Sequence, residues 1–279
     1  MSELSNDEKL RIARHFLLSS PPGEFEDVLS DVRELIEDDD LLNKQAFEVF
    51  HTYNVEQLIP VEVPNQDYKV VLSKYSEIDS THYLDPHKNQ ILTVDHTKGV
   101  VTSVEPRGED EDSSVKQRRE NIQTAIDAYV KDHYLSGLAT VYPSQENKDE
   151  FIVCITASKF NEKNFWSGRW RSVYRVTLED DNKAKVSGSM KVNVHYYENG
   201  NVQLNTSKEY GESVSGSNIG EEIAKVLSKT EGNFQTQIDT SCNNLNETFK
   251  SLRRRLPYTK TLYDFASNQH KLVADMSGK

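Results

Sequence analysis

The chain has 279 residues and a formal charge of −12, long enough for one large core or two smaller ones, since compact domains run about 100 to 200 residues. Hydrophobic residues make up only 35%, yet 13 Tyr and 10 Phe supply core volume, so the composition predicts a folded chain with much solvated surface. The acidity excludes a molecule that coats nucleic acid or an anionic membrane with its whole surface, because both demand a positive field; an anionic partner must meet a local basic patch.

Charged residues interrupt every hydrophobic cluster in the first thirty positions. No signal peptide or transmembrane segment is expected there, and the chain reads as cytoplasmic. Three helices come first. Ser5 is a plausible N-cap, with Asp7 and Glu8 in the first turn and Leu10, Ala13, Phe16 and Leu17 on one face, before Pro21, Pro22 and Gly23 stop the helix. A second helix carries Phe25, Val28, Leu29, Val32, Leu35 and Ile36, and a third Leu42, Ala46, Val49, Phe50 and Tyr53.

From Tyr68 the pattern changes to short β-branched runs, at Tyr68 to Leu72, Ile91 to Val94 and Val100 to Val104. The acidic stretch Gly108 to Ser114 reads as a surface linker, followed by a helix from Val115 to Ser136. A second β region runs from Leu138 to about Val214, with strands at Glu150 to Lys159, Trp170 to Leu178, Lys185 to Tyr197 and Val202 to Ser207. Asn199-Gly200 predicts a two-residue type I′ turn pairing Glu198 with Asn201 and Tyr197 with Val202. That register puts His195 on one face with Val202 and Leu204, as a hydrogen-bonded core histidine.

Ile223, Phe234, Leu245 and Leu256 recur every 11 residues, as do Leu227, Ile238 and Phe249. Eleven residues make three turns of 3.67, so the apolar face stays on one side of a nearly straight helix from Asn218 to Leu256, about 58 Å long. Gly232 interrupts it at about 1 kcal/mol against Ala.

The sequence has no G-x-x-x-x-G-K-[ST], H-E-x-x-H, G-x-S-x-G or C-x-x-C pattern, and no enzyme is expected. Gly211, Gly216 and Gly220 precede a helix, but with no Lys after Gly220 they read as a loop and not a phosphate cradle. Cys154 and Cys242 are expected to be reduced thiols packed as small hydrophobes, not metal ligands. In Phe165 to Ser172, FWSGRWRS, two Trp and two Arg suit base stacking; the acidic balance favours a bend whose indoles pack a core or subunit interface.

From Lys250 to Lys279 seven basic residues (Lys250, Arg253, Arg254, Arg255, Lys260, Lys271, Lys279) stand against Asp264 and Asp275, and the rest of the chain is strongly acidic. Beyond Pro257, Leu262, Phe265, Leu272 and Met276 fall near one face of a short amphipathic segment. Such a tail suits an acidic surface with a hydrophobic groove. The alternative is a basic helix end that complements its own macrodipole. The expected organisation is α+β: an N-terminal helical stalk (1–60), a small β module with the acidic linker (61–114), a helix and antiparallel β-sheet (115–214), a long helix covering the sheet (215–257) and the amphipathic tail (258–279).

VHYYENGNV at Val194 to Val202, FKSLRRRLP at Phe249 to Pro257 and FWSGRWRS resemble segments of the F-actin capping protein alpha subunit family, and the order of elements matches over essentially the whole chain. The resemblance implies an obligate heterodimer with a similar beta subunit, the two sheets joined and the long helices lying across them. It implies capping of the actin filament barbed end by steric block, independent of calcium and without a cofactor. In its terms Lys250 and Arg254 contact acidic terminal actin subunits, with Arg253 and Lys260 nearby and Leu262 and Phe265 as apolar contacts; vertebrate members have Trp where Phe265 stands. Phosphoinositides and capping-protein-interacting regulators are implied opponents. A phosphoinositide- or protein-binding scaffold with a basic tail is the alternative function.

Overall fold

A computed structural model describes residues 5–108, 112–161, 165–197 and 202–253, with the side chains of 43–45 and 242–253 outside that description. The chain divides into two compact units, 1–224 and 225–279.

The first unit opens with three helices, α1 (Asn6–Leu18), α2 (Phe25–Ile36) and α3 (Asp39–Glu56). Ser5 caps α1 in a full capping box: its hydroxyl accepts from the Glu8 N–H, and its own N–H donates to the Glu8 carboxylate at 3.0 Å. The Asp38 carboxylate accepts from the Leu41 N–H at 2.9 Å and starts α3. Ala13, Leu17, Phe25, Val32, Leu42, Val49, Phe50 and Tyr53 form one buried cluster, as their spacing predicts. Phe16 and Leu35, predicted on the same faces, are 50% and 78% exposed. Each lies roughly 90° round its helix from the buried centre, because the apolar stripe is narrower than the run of apolar letters suggests.

A two-stranded sheet, β1 (Pro60–Glu62) with β2 (Lys69–Val71), and a three-stranded antiparallel sheet, β3 (His82–Asp85), β4 (Gln90–Asp95) and β5 (Val100–Pro106), follow. β1 and β3 are absent from the sequence-based expectation, being only three and four residues long. The linker expected to Ser114 is shorter at its far end. Asp112 caps α4 (Ser113–His133) by accepting from the Ser114 N–H, so the helix starts two residues early and ends three short of Ser136.

A five-stranded antiparallel meander completes the β structure, in the order β10-β9-β8-β7-β6: β6 (Leu138–Pro143), β7 (Glu150–Asn161), β8 (Trp166–Asp180), β9 (Lys183–Tyr196) and β10 (Val202–Ser215). Val70, Leu72, Tyr83, Leu92, Tyr142, Ile152 and Cys154 belong to one buried cluster, so the small sheets and the meander share a core. The Cys154 thiol is buried, which pushes its pKa up to about 12 and leaves it a packing group.

The β9–β10 register corrects the hairpin expectation. Val202 pairs with Tyr196, not Tyr197, and His195 stands opposite Gln203. Fourteen consecutive pairs, down to Lys183 with Ser215, enforce this one-residue shift. Since side chains alternate, it moves Val202 and Leu204 to the face opposite His195. Residues 198–201, including Asn199-Gly200, lie outside the described residues.

The two edges of the meander differ. On β6, Gln123 of α4 accepts the Val141 N–H at 2.7 Å and donates to the Ala139 carbonyl at 3.2 Å. The Thr140 hydroxyl takes the Val71 N–H at 3.2 Å, and the Tyr142 hydroxyl donates to the Val71 carbonyl. On β10 the outer side has no strand partner among the described residues, and most of its 14 residues are exposed.

The last helix, α5 (Ile219–Arg253), is described over 35 residues, about 52 Å. Its start belongs to the first unit, where Gly220 approaches Asn121 of α4 so closely that a Cβ would lie 2.2 Å from Asn121 Oδ1. In the second unit it runs unbroken from Lys225 through Gly232. Ile223, Leu227 and Phe234 are buried, as the 11-residue spacing predicts; the side chains of Leu245 and Phe249 lie outside the described ones.

Two glycines give opposite expectations. A Cβ on Gly188 of β9 would sit 2.1 Å from the Val173 carbonyl and 2.8 Å from Tyr174 Cα, both backbone. Gly188→Ala should lower the urea unfolding free energy by about 2–4 kcal/mol. A Cβ on Gly232 meets nothing within 4 Å among the described residues, so Gly232→Ala should raise it by about 1 kcal/mol.

Candidate functional site

The basic segment predicted from charge begins on the last turns of α5. Lys250 and Arg253 are helical there, and their side chains lie outside the described ones. Arg254, Lys260, Leu262 and Phe265 lie outside the described residues. Glu221 and Glu222 stand in the first turn of α5, so acid leads and base follows along the helix, each sign matching the dipole at its end.

FWSGRWRS is not a bend. All but Phe165 belongs to β8, and the turn in the backbone is confined to Phe165, at φ 57°. Alternation sends Ser167, Arg169 and Arg171 to one face and the two indoles to the other. Trp166 is buried, and Trp170 donates its Nε1–H to the Ser172 hydroxyl at 2.8 Å with its ring 6.0 Å from Tyr134.

The arginine face is a seam between the sheet and the C-terminal end of α3. Arg171 is 8% exposed; it donates through Nη1 to the Glu56 carbonyl at 2.7 Å and through Nη2 to Asn193 Oδ1. Arg169, 7% exposed, donates to the Ser158 hydroxyl at 3.1 Å and Gln57 Oε1 at 3.3 Å, with its guanidinium 6.0 Å over the Tyr53 ring. Burial, with Arg169 alongside, pushes the Arg171 pKa down to about 10, and it remains a cation at neutral pH. One strand away, Glu24, just before α2, accepts from His195 Nδ1–H at 2.7 Å and from the Ser167 hydroxyl at 3.0 Å. Ser167 and His195 are register partners on β8 and β9, which is why one carboxylate reaches both.

The expected hydrogen-bonded core histidine at His195 is therefore present, but its partner is the carboxylate of Glu24, 171 residues away. Nothing in the spacing of Glu24, Glu56 and Gln57 announces the seam. The one legible signal was the alternation of polar Ser167, Arg169 and Arg171 with the indoles, which marks a two-sided buried strand. With their hydrogen bonds committed inside the protein, these arginines do not form a base-stacking surface. Among the described residues there is no group of three or more His, Cys, Asp or Glu arranged to hold a metal.

This architecture, a three-helix bundle seamed to an antiparallel meander and followed by a long helix, is that of the actin capping protein alpha fold. The homodimeric actin capping protein alpha subunit from Plasmodium berghei is similar at TM-score 0.76 and 22% identity, over 91% of this chain and 99% of that one. The sequence model of the F-actin capping protein alpha subunit family matches residues 13–275. F-actin-capping protein subunit alpha from Neurospora crassa is 36% identical over 96% of both chains, and that from Caenorhabditis elegans 34% identical over 96% of this chain and 97% of its own. The counterpart from Arabidopsis thaliana is 33% identical over 94% of this chain and 90% of its own. The chain belongs to the F-actin capping protein alpha subunit family.

Arg171→Met should lower the urea unfolding free energy by about 1–3 kcal/mol, since it leaves the part-buried Glu56 carbonyl and Asn193 side-chain oxygen without their donor. Arg171→Lys should recover only part, because an ammonium lacks the fork that spans both acceptors.

Proposed function

We propose that this chain is the alpha subunit of a heterodimer with a capping protein beta subunit that binds the barbed end of the actin filament. There it blocks addition and loss of actin subunits sterically, with no chemistry, cofactor or calcium requirement. The observation that carries this reading is the family match running through residue 275, which takes in the basic end of α5 and the amphipathic stretch beyond it. A cytoplasmic place in the actin cytoskeleton follows from that role; among the described residues no helix is long and apolar enough to cross a membrane.

Lys250, Arg253, Arg254 and Lys260 meet acidic actin, and Leu262 and Phe265 fill apolar positions on it. Exposed ion pairs contribute about 0–1 kcal/mol each, whereas a fully buried Leu or Phe contributes about 1.5–3. The cations therefore set encounter and the apolar anchors set residence. Anionic phosphoinositides compete for the same cations, and capping-protein-interacting regulators act on the assembled dimer. The beta subunit pairs with the open edge of β10, extending the meander into a joint sheet. The P. berghei protein is described as homodimeric, so a second alpha chain is the competing occupant of that edge.

Elongation of pre-formed filaments from barbed ends, with the chain co-expressed with a beta subunit, tests both halves. Full-length complex should stop elongation at nanomolar concentration, and a chain ending at Pro257 should release ends faster. Lys250→Ala with Arg254→Ala should slow association about tenfold in a salt-dependent way and leave dissociation nearly unchanged. Unchanged elongation with a folded heterodimer refutes capping, and vesicle binding under those conditions would favour the scaffold reading. Native mass of the purified protein separates a mixed dimer from an alpha–alpha one.

A further inference from the structure

Where α3 meets the three-stranded sheet, His96 is 1% exposed and hydrogen-bonded on every side. Its Nδ1 accepts from the Asn54 amide at 3.2 Å, and the same amide donates to the His96 carbonyl at 3.0 Å. Its Nε2–H faces the Ser80 carbonyl and the Tyr83 hydroxyl, both at 3.1 Å. With an acceptor at Nδ1 and a donor at Nε2, this is the neutral ring in one tautomer. A proton added at Nδ1 would point at the Asn54 N–H, donor against donor, in a site with no water-facing surface.

The neighbours do not offset that loss. His51, one turn before Asn54 on α3, stands edge-on with ring centroids 4.9 Å apart, and its Nε2 lies 3.1 Å from Glu77 Oε1. Phe47 packs on both imidazoles, at 6.4 Å from His51 and 5.9 Å from His96. Asp95 on β4 is the acidic group that favours a charged His96, and burial and His51 outweigh it. The carboxylates of Glu77 and Asp79 act on the adjacent Tyr83, and Asp79 is itself engaged by Thr81 and His82.

We propose that His96 is an acid-sensitive latch between α3 and the three-stranded sheet: neutral, it holds Asn54 to Ser80 and Tyr83, and its protonation releases the helix from β3 and β4. The Asn54–His96 pair is a buried hydrogen-bonded link between α3 and this sheet; α3 is also tied to that side by the part-buried His51–Glu77 contact and by Val55, packed against the cluster that holds Tyr83, Leu92 and Val94. Burial holds the His96 pKa down at about 4 against an ordinary 6.5. A ring freed by opening takes a proton that the closed one refuses, so the latch is intact above pH 6.5 and weakens as pH falls toward 4. Between pH 7 and 5 the opening constant should rise about 20-fold.

Hydrogen–deuterium exchange of the full-length protein, read as protection factors at pH 7 and 5, tests this. Protection in residues 47–56 and 82–95 should drop about 20-fold, while the β7–β9 centre holds. His96→Gln, which keeps a neutral amide in the site, should show no such pH-dependent drop. His51→Gln, which removes the neighbour that opposes a charge on His96, lets the closed site accept the proton more readily and should move the midpoint of opening to lower pH. Should His96→Gln fail to fold, the direction of the His51→Gln shift decides. Equal protection at both pH values in the wild type, or a His51→Gln midpoint unmoved or displaced upward, would overturn the latch.

Discussion

Arg171 reaches from the middle of β8 to the last carbonyls of α3, and the placement of the helical bundle on the meander follows from that contact. A guanidinium taken out of water costs several kcal/mol unless its donors are used; here Nη1 and Nη2 find the Glu56 carbonyl and the Asn193 side chain, and Nε is buried without a partner among the described residues. The end of a helix is the natural acceptor, because its final carbonyls lack intrahelical partners and carry the negative end of the dipole. Arg169 and the Glu24 bridge to Ser167 and His195 then fix the remaining freedom, since contacts at both Glu24 and Gln57 stop the bundle from pivoting about a single point.

The two edges of the sheet meet different surroundings. α4 and β2 lie against β6, where Gln123 satisfies the Val141 N–H and the Ala139 carbonyl and Thr140 accepts from Val71. β10 has neither a proline nor a bulge to blunt it. A 14-residue edge without such protection is an aggregation hazard in a lone chain. Dimerisation through β10 would remove the hazard, so the chain's solubility and its proposed partner become one problem.

Much of the fold was legible because it rests on local rules. The capping box at Ser5, the buried stripes of α1 to α3, and the 11-residue spacing of Ile223, Leu227 and Phe234 are set by residues within a few turns of each other. β1 and β3 were not legible: three or four residues carry no period, and their strand state comes from pairing alone. The β9–β10 register was missed for a related reason. Asn199-Gly200 is a strong local turn signal, but fourteen pairs along both strands outweigh what two residues prefer. FWSGRWRS is strand and not the expected bend, because its alternating Arg residues find their acceptors on and beside α3, which local sequence does not reveal. Sequence placed Lys250 and Arg253 on a long final helix, where α5 has them; the seam between α3 and β8 needed the tertiary structure.

The charge gradient along α5 links the body to its proposed work. An isolated basic helix end gains about 0.3–1 kcal/mol from its own dipole, which accounts for one or two cations near Lys250 and Arg253. It does not account for seven cations against two acids over the last thirty residues in a chain of net charge −12. A cluster of positive charge in an otherwise acidic sequence draws an acidic partner toward that segment before contact forms, which is the steering role proposed for it. The apolar positions of the tail then have only to dock a molecule that is already oriented, which is where a short amphipathic segment is most effective.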